Sequence, residues 1–515
     1  IKLAGWIGIN RAIHEYRKLQ QFDPYRDREE FKNNSVFHIK DFTDLEFYRD
    51  QSSKLRIRNK SLTPLSIAEA LQRRAAFQPT LAEKAEFKKQ QTLSVMNDFG
   101  IFEVGTADSN GRIVALQPQG DTALWFGVYI WALSLEHDVT QSADSYQRLR
   151  NAIEGMNHLV EISPDPKLFA RYIHKSPANE PVTDPNVRQG SGKYRDYKYD
   201  SRSNNDMVKG LLLTYVIAHR ALKVEDRELK QKIASLVRRV QQLDPIRKKT
   251  GNNAAAKGLD ALWNEDNESL REYIASSDSL TSRVSEKLYI DSGFHIGGMT
   301  NPSGIHLNLI SQSIRYYLAE ALIKKANEAG ERMFIHRPAT ETAPESYESP
   351  LPRLEAIKKS ASNNIRNLSL RMQKAYFNYL NIAAYAITRE PDLKQRAVDS
   401  IWGLIEVPLI RSVGQLRGDL HLQPDWMYST WPFEPWTAIK GPWLINEEKL
   451  TTKNQRRGML GYPAFECAAL GSTYLWVSDA NDFPCNGNSN TVSFSADYLW
   501  AYWLARSAGV LSERD

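Results

Sequence analysis

Five apolar segments of this chain begin with side chains able to hold or move a proton. Gly-Asp121 opens the run Thr122 to Leu135, and Ser203-Asn204-Asn205-Asp206 opens the run from Met207 to Ala218. Ser303-Gly-Ile-His306-Leu-Asn308 opens the run to Leu322, Ser362-Asn363-Asn364 opens a helix through Leu380, and Ser493 to Asp497 opens Tyr498 to Ala505. The first turn of a helix carries unpaired N–H groups and the positive end of the helix dipole. Asp, Asn and Ser at such positions either cap the helix or form the rim of a site. The spacing of Ser203 and Asp206 predicts a reciprocal capping box. If the five segments lie side by side with their starts at one end, their polar groups converge there.

Paired carboxyls at such a rim suit glycoside hydrolysis, in which one protonates the leaving oxygen and the other activates water or attacks carbon. Asp121 and Asp206 are the first candidate pair, because each heads an apolar run; Asp200, Asp425, Glu434 and Asp497 are further acids. Proton abstraction beside a sugar carboxylate needs instead a base and groups that neutralise the carboxylate. Tyr199, Arg202, Asn205, His306 and His421 match that requirement. His137, His158 and His219 fall within helical runs and are expected to be structural. Trp426, Tyr428, Trp431, Phe433, Trp436 and Trp443 are interspersed with Pro424, Pro432, Pro435 and Pro442, so they cannot form the core stripe of a helix. Such rings either stack on the C–H faces of sugars, with Asp425 and Glu434 binding hydroxyls, or plug one end of the fold.

At 515 residues, with 42% hydrophobic and 10% aromatic residues, the chain can bury a large core. Its net charge of +6 comes from scattered pairs such as Arg238-Arg239 and Lys324-Lys325. That pattern describes solvated faces and no interleaved basic and aromatic nucleic-acid surface. The two cysteines, Cys467 and Cys485, lack metal or redox spacing and are either one disulfide or two buried thiols. Asp479, Asn481, Asp482, Asn486 and Asn488 offer oxygen ligands, but Phe483 interrupts the calcium-loop pattern and no glutamate closes it. No metal or cofactor is expected. The longest uncharged apolar run is too short to span a bilayer, and a start at Ile1 without methionine suggests a removed export segment, hence a periplasmic or secreted protein.

Residues 1–60 read as a helix followed by an extended arm rich in charge and aromatics, able to dock on a protein partner. Residues 61–515 read as a single helical domain, beginning with a helix from Pro64 to Phe77. A strand pair flanks Asn110-Gly111, and Ser142 caps the second helix of a hairpin. Apolar and amphipathic helices alternate, with Gly251-Asn252-Asn253 marking a break. At G-D-T-A-L-W-F-G-V-Y, D-S-R-S-N-N-D-M-V-K-G-L-L and A-D-Y-L-W-A-Y-W-L-A-R the chain resembles bacterial proteins of the six-hairpin (α/α) toroid class. That resemblance implies an all-α (α/α)6-type toroid with little strand, carbohydrate binding, and hydrolase or lyase cleavage of a polysaccharide or oligosaccharide at the toroid mouth. The competing expectation is a non-catalytic scaffold subunit that docks through its N-terminal arm.

Overall fold

The computed structural model describes residues 81–107, 112–176, 181–278, 302–330, 333–337, 344–371, 378–399, 491–492 and 494–514, together with the backbone of five short strands elsewhere. Among the described residues the protein is mostly helical, with thirteen α-helices. In chain order they are α1 (Leu81–Ser94), α2 (Thr122–Thr140), α3 (Ala143–Glu161), α4 (Asn205–Ala221), α5 (Arg227–Val240), α6 (Asp244–Arg247) and α7 (Thr250–Asn264). They continue with α8 (Asn267–Asp278), α9 (Pro302–Ala329), α10 (Leu351–Arg371), α11 (Asn378–Thr388), α12 (Pro391–Asp399) and α13 (Ala496–Ser507). None of them is long and apolar enough to cross a membrane.

Helix α2 is apolar on every side, and each residue from Thr122 to Ser134 is buried. A helix of that kind must be surrounded by protein; α3, α4 and α13 pack around it. By contrast α5 buries a single stripe, Ile233, Leu236, Val237 and Val240, at helical spacing. The contacts of α2 with α4 continue through α9, α10 and α11 to α13, which returns to α2. Arg389, just past α11, donates to the carbonyls of Ser507 and Ala508 at the end of α13, so these two helices finish together. Lys358 pairs with Glu320 at 3.1 Å and Asn364 with Gln312 at 3.2 Å, so α9 and α10 run antiparallel. Trp131 of α2 meets Tyr317 of α9 edge-on at 5.6 Å and Trp500 of α13 at 5.1 Å, joining three helices through aromatic rings.

The tightest crossing is that of α2 with α4. A Cβ on Gly127 would lie 2.3 Å from the Gly210 carbonyl oxygen, and one on Gly210 would lie 2.1 Å from the Ala123 carbonyl oxygen. Backbone therefore touches backbone at this point, and only glycine leaves the room.

The described strands are short. β1 (Ser35–Ile39) lies between β4 (Leu62–Ser66) and β12 (Met427–Ser429), while β2 (Leu45–Arg49) pairs with β3 (Leu55–Asn59). The helix expected from Pro64 therefore does not start there, since Pro64 lies in an edge strand, a position that tolerates a proline with no N–H to donate; the rest of that stretch lies outside the described residues. β5 (Val104–Ala107) and β6 (Ile113–Gln117) form the hairpin expected around Asn110-Gly111, with β13 (Thr491–Val492) on the free side of β5. β7 (Ile173–Lys175) and β8 (Val187–Gln189) flank β9 (Tyr197–Asp200), inside a stretch expected to be loop. β10 (Ile335–Arg337) and β11 (Ser346–Glu348) pair antiparallel as a two-stranded sheet.

Two helix boundaries differ from expectation. Ser362 to Asn364 do not start a helix; they lie within α10, between buried Ala361 and Ile365, with Asn363 exposed and Asn364 turned to Gln312 of α9. Gly251 to Asn253 fall in the first turn of α7 and make no break. The Ser142 cap is present, its side chain accepting from the Ser145 amide. Gly127→Ala should lower unfolding free energy in urea by at least about 2 kcal/mol, because the added methyl can only push two helices apart. Gly251→Ala, where a Cβ meets nothing within 4 Å, should be neutral or slightly stabilising.

Candidate functional site

Strand β9 delivers the chain to α4, and its neighbours fix where both α2 and α4 begin. The Arg171 amide donates to the Asp200 carbonyl at 2.8 Å, and the Arg171 carbonyl accepts from the Ala123 amide at 3.3 Å. The Arg171 guanidinium also donates to the Gly120 carbonyl and, at 2.7 Å, to Asp121 Oδ1. One residue thus ties the end of β9 to the start of α2. Asp121 occupies the cap position of α2 but makes no side-chain cap hydrogen bond. Its carboxylate is held by Arg171 and left partly exposed.

At the start of α4 the cap is Asn204, not Ser203. Asn204 Oδ1 accepts from the amides of Asp206 at 2.9 Å and Met207 at 3.2 Å. The capping box is therefore corrected: an Asn carbonyl reaches both N–H groups, and Ser203 Oγ is buried with no hydrogen-bond partner. The Asp206 carboxylate, freed from capping, is half-buried and lies close enough to Asp121 to raise its pKa. Burial is the larger cause of the rise at Asp121 and outweighs the opposing Arg171 guanidinium. Burial also lowers the pKa of Lys209, one turn into α4, with Asp206 opposing. Asn205 accepts from Asn252 Nδ2 at 2.6 Å, which brings the start of α7 to the same end.

Asp121, Asn205 and Asp206 are thus brought together. Arg202 stands beside them but is engaged: it forks onto Asp200, with Nη2 at 2.7 Å and Nε at 2.9 and 3.1 Å, and reaches Asp184 at 2.9 Å. Tyr199 is 1% exposed in the middle of its sheet and does not reach the rim. Asp497 is also buried, in the first turn of α13, and its charge faces Lys88 of α1. Burial brings that lysine down to about 8, Asp497 pulling the other way. The backbone of His306 lies in the first turn of α9, and its side chain lies outside the described residues. His421, Asp425, Trp426, Trp431, Glu434 and Trp436 also lie outside them, as do both cysteines.

Sequence reasoning missed Arg171, Tyr172 and Lys209. Tyr172 is raised by burial and by the nearby Asp200 charge, which places it in the same electrostatic cluster. Nothing in the local pattern marks Arg171, because the sheet, and not sequence proximity, brings it to Asp121. The interior histidines are engaged by neighbours: His137 with Ser145 at 3.2 Å and His158 with the Tyr194 hydroxyl at 2.8 Å, while His219 is pushed down to about 4 by burial beside Trp263. Among the described residues no group of His, Cys, Asp and Glu is arranged to hold a metal ion. Comparison with known protein families, with curated proteins and with solved structures returns no match. The site must therefore be read from its own chemistry.

Asn204→Ala should cost about 1 kcal/mol of stability, the usual worth of such a cap. Ser203→Ala should cost less, since its hydroxyl is buried without a hydrogen bond. Paired thermal melts check the order; an equal or larger loss at Ser203 would return the cap to that residue.

Proposed function

We propose that this protein is a carbohydrate-active enzyme that cleaves glycosidic bonds in a polysaccharide, at the mouth of an (α/α) toroid. The toroid reading is supported by the circuit of helix contacts that returns to α2 and by helices whose starts or ends coincide. The cleavage reading is carried by one observation: Asp121 and Asp206, from two different helix starts, are electrostatically coupled. Burial keeps the Asp121 carboxyl protonated to higher pH than an ordinary aspartate, as a proton donor to a leaving oxygen requires. Asp206, beside the Lys209 ammonium, is the partner that activates water or attacks the sugar carbon.

A second reading, a non-catalytic scaffold subunit, draws on a different observation. Arg171 ties Asp121 to the Gly120 carbonyl, and Arg202 is shared by Asp200 and Asp184, so much of the rim charge is used in holding the chain. In that reading Asp121 is a structural anchor.

Release of sugar ends from a panel of polysaccharides separates the two. Asp121→Asn and Asp206→Asn should each reduce cleavage by about 10²- to 10⁴-fold, the range for loss of a general acid or base, with folded protein retained. Activity that needs protonated Asp121 is full below its pKa and falls as pH rises through it. The alkaline limb should therefore lie above the ordinary aspartate value. Full activity in both variants removes the assignment, and a wild-type protein that cleaves nothing while Asp121→Asn melts lower favours the scaffold.

A further inference from the structure

Behind the Asp206 rim, α4, α7, α8 and α9 enclose a partly open cavity of about 120 Å³. Its polar lining includes Lys209, Asn252, Ser276, Ser277, Gln312 and Arg315, and among the described residues no acidic side chain lines it. Lys209 makes no hydrogen bond or ion pair among the described residues; the opposite charge acting on it is Asp206, a turn earlier on the same helix. Arg315 Nη2 donates to the Ser277 carbonyl at 2.9 Å. The first turn of α7, Thr250 to Asn252, also lines the cavity, and its cap residue Lys249 provides no side-chain cap hydrogen bond. An unpaired ammonium in a half-buried setting is costly unless an anion completes it. Here a guanidinium, free helix amides and side-chain hydroxyls surround the same space.

We infer that this cavity receives an oxyanion carried by the substrate, a sugar carboxylate or sulfate, so that the polysaccharide is an acidic one. The inference rests on the cleavage reading for its substrate and deepens it. Lys209 follows Asp206 by one helical turn, where side chains at i and i+3 are neighbours. Asn252 bridges to Asn205. An anionic group seated on Lys209 therefore holds its sugar beside the Asp206 carboxylate. The two charges divide the work: Lys209 and Arg315 position the acidic group, while Asp206 and Asp121 face the bond.

Titration calorimetry on the full chain tests this with three probes: a uronic acid trisaccharide, the same trisaccharide with its carboxyls reduced to alcohols, and a sulfated trisaccharide. At least one acidic probe should bind, the reduced one should bind about 10- to 100-fold more weakly, and Lys209→Met should erase that difference. Lys209 holds no partner among the described residues, so Lys209→Met should fold, which a thermal melt verifies; Ser276→Ala, a milder change in the same lining, should weaken the acidic probe alone. Preference for the sulfated over the carboxylated probe identifies sulfate as the anion. Equal binding of acidic and reduced probes, no binding of either acidic probe, or a Lys209→Met protein that keeps the preference overturns the inference. Cleavage of a neutral polysaccharide that depends on Asp206 but not on Lys209 would sink the cavity assignment alone. Lys209-dependent binding without cleavage of any polysaccharide would sink the cleavage reading alone.

Discussion

The contact on which this architecture depends is the backbone crossing of α2 and α4 at Gly127 and Gly210. Helices that meet through side chains stand 8–10 Å apart and can slide by a residue as those side chains repack. Here a carbonyl oxygen of each helix fills the place where the other's Cβ would be, so the crossing point admits little adjustment. Asp121 lies six positions before Gly127 and Asp206 four before Gly210. Fixing the crossing therefore fixes the two helix starts relative to each other. Arg171 adds a second constraint from outside by tying the start of α2 to the end of β9.

Around that crossing, burial and charge divide the starts into two kinds. Asp200 and Asp497 are both buried, Asp200 held by the exposed Arg202 guanidinium and Asp497 offsetting the buried Lys88. Asp121 and Asp206 keep partial exposure and influence each other. The same residue type at the same kind of position thus takes two roles, decided by how much water each carboxylate retains. The cavity beside Asp206 repeats the logic with opposite sign, since among the described residues it gathers cations and helix amides without an acid.

Helix existence was legible wherever an apolar run was long and clearly bounded. The run opening at Thr122 and the Ser142 cap gave the starts of α2 and α3, and Ser493 to Asp497 gave the start of α13. Polar clusters misled where they could be read in two ways. Ser362-Asn363-Asn364 has the composition of a helix start, yet the trio also fits the interior of α10, with Asn363 in solvent and Asn364 bonded to α9. Ser203 and Asn204 are both good caps, and only the backbone path shows that the Asn carbonyl reaches two amides. The convergence of Asp121 with Asp206 could be anticipated from their positions at helix starts. Arg171, Tyr172 and Lys209 could not, because burial and strand pairing give them their roles.

The central claim is that two carboxyls distant in sequence share one electrostatic environment at the end of the α2–α4 pair. Carbon-13 labelling of the aspartate carboxyls, with Asp121 assigned by substitution, allows its titration to be followed by NMR in the wild-type protein and in Asp206→Asn. Removing the Asp206 charge removes one cause of the elevation, so the Asp121 midpoint should fall toward the ordinary aspartate value while burial still holds it above. A midpoint that stays the same in both proteins would show that the two groups do not sense each other, and the shared site would be contradicted.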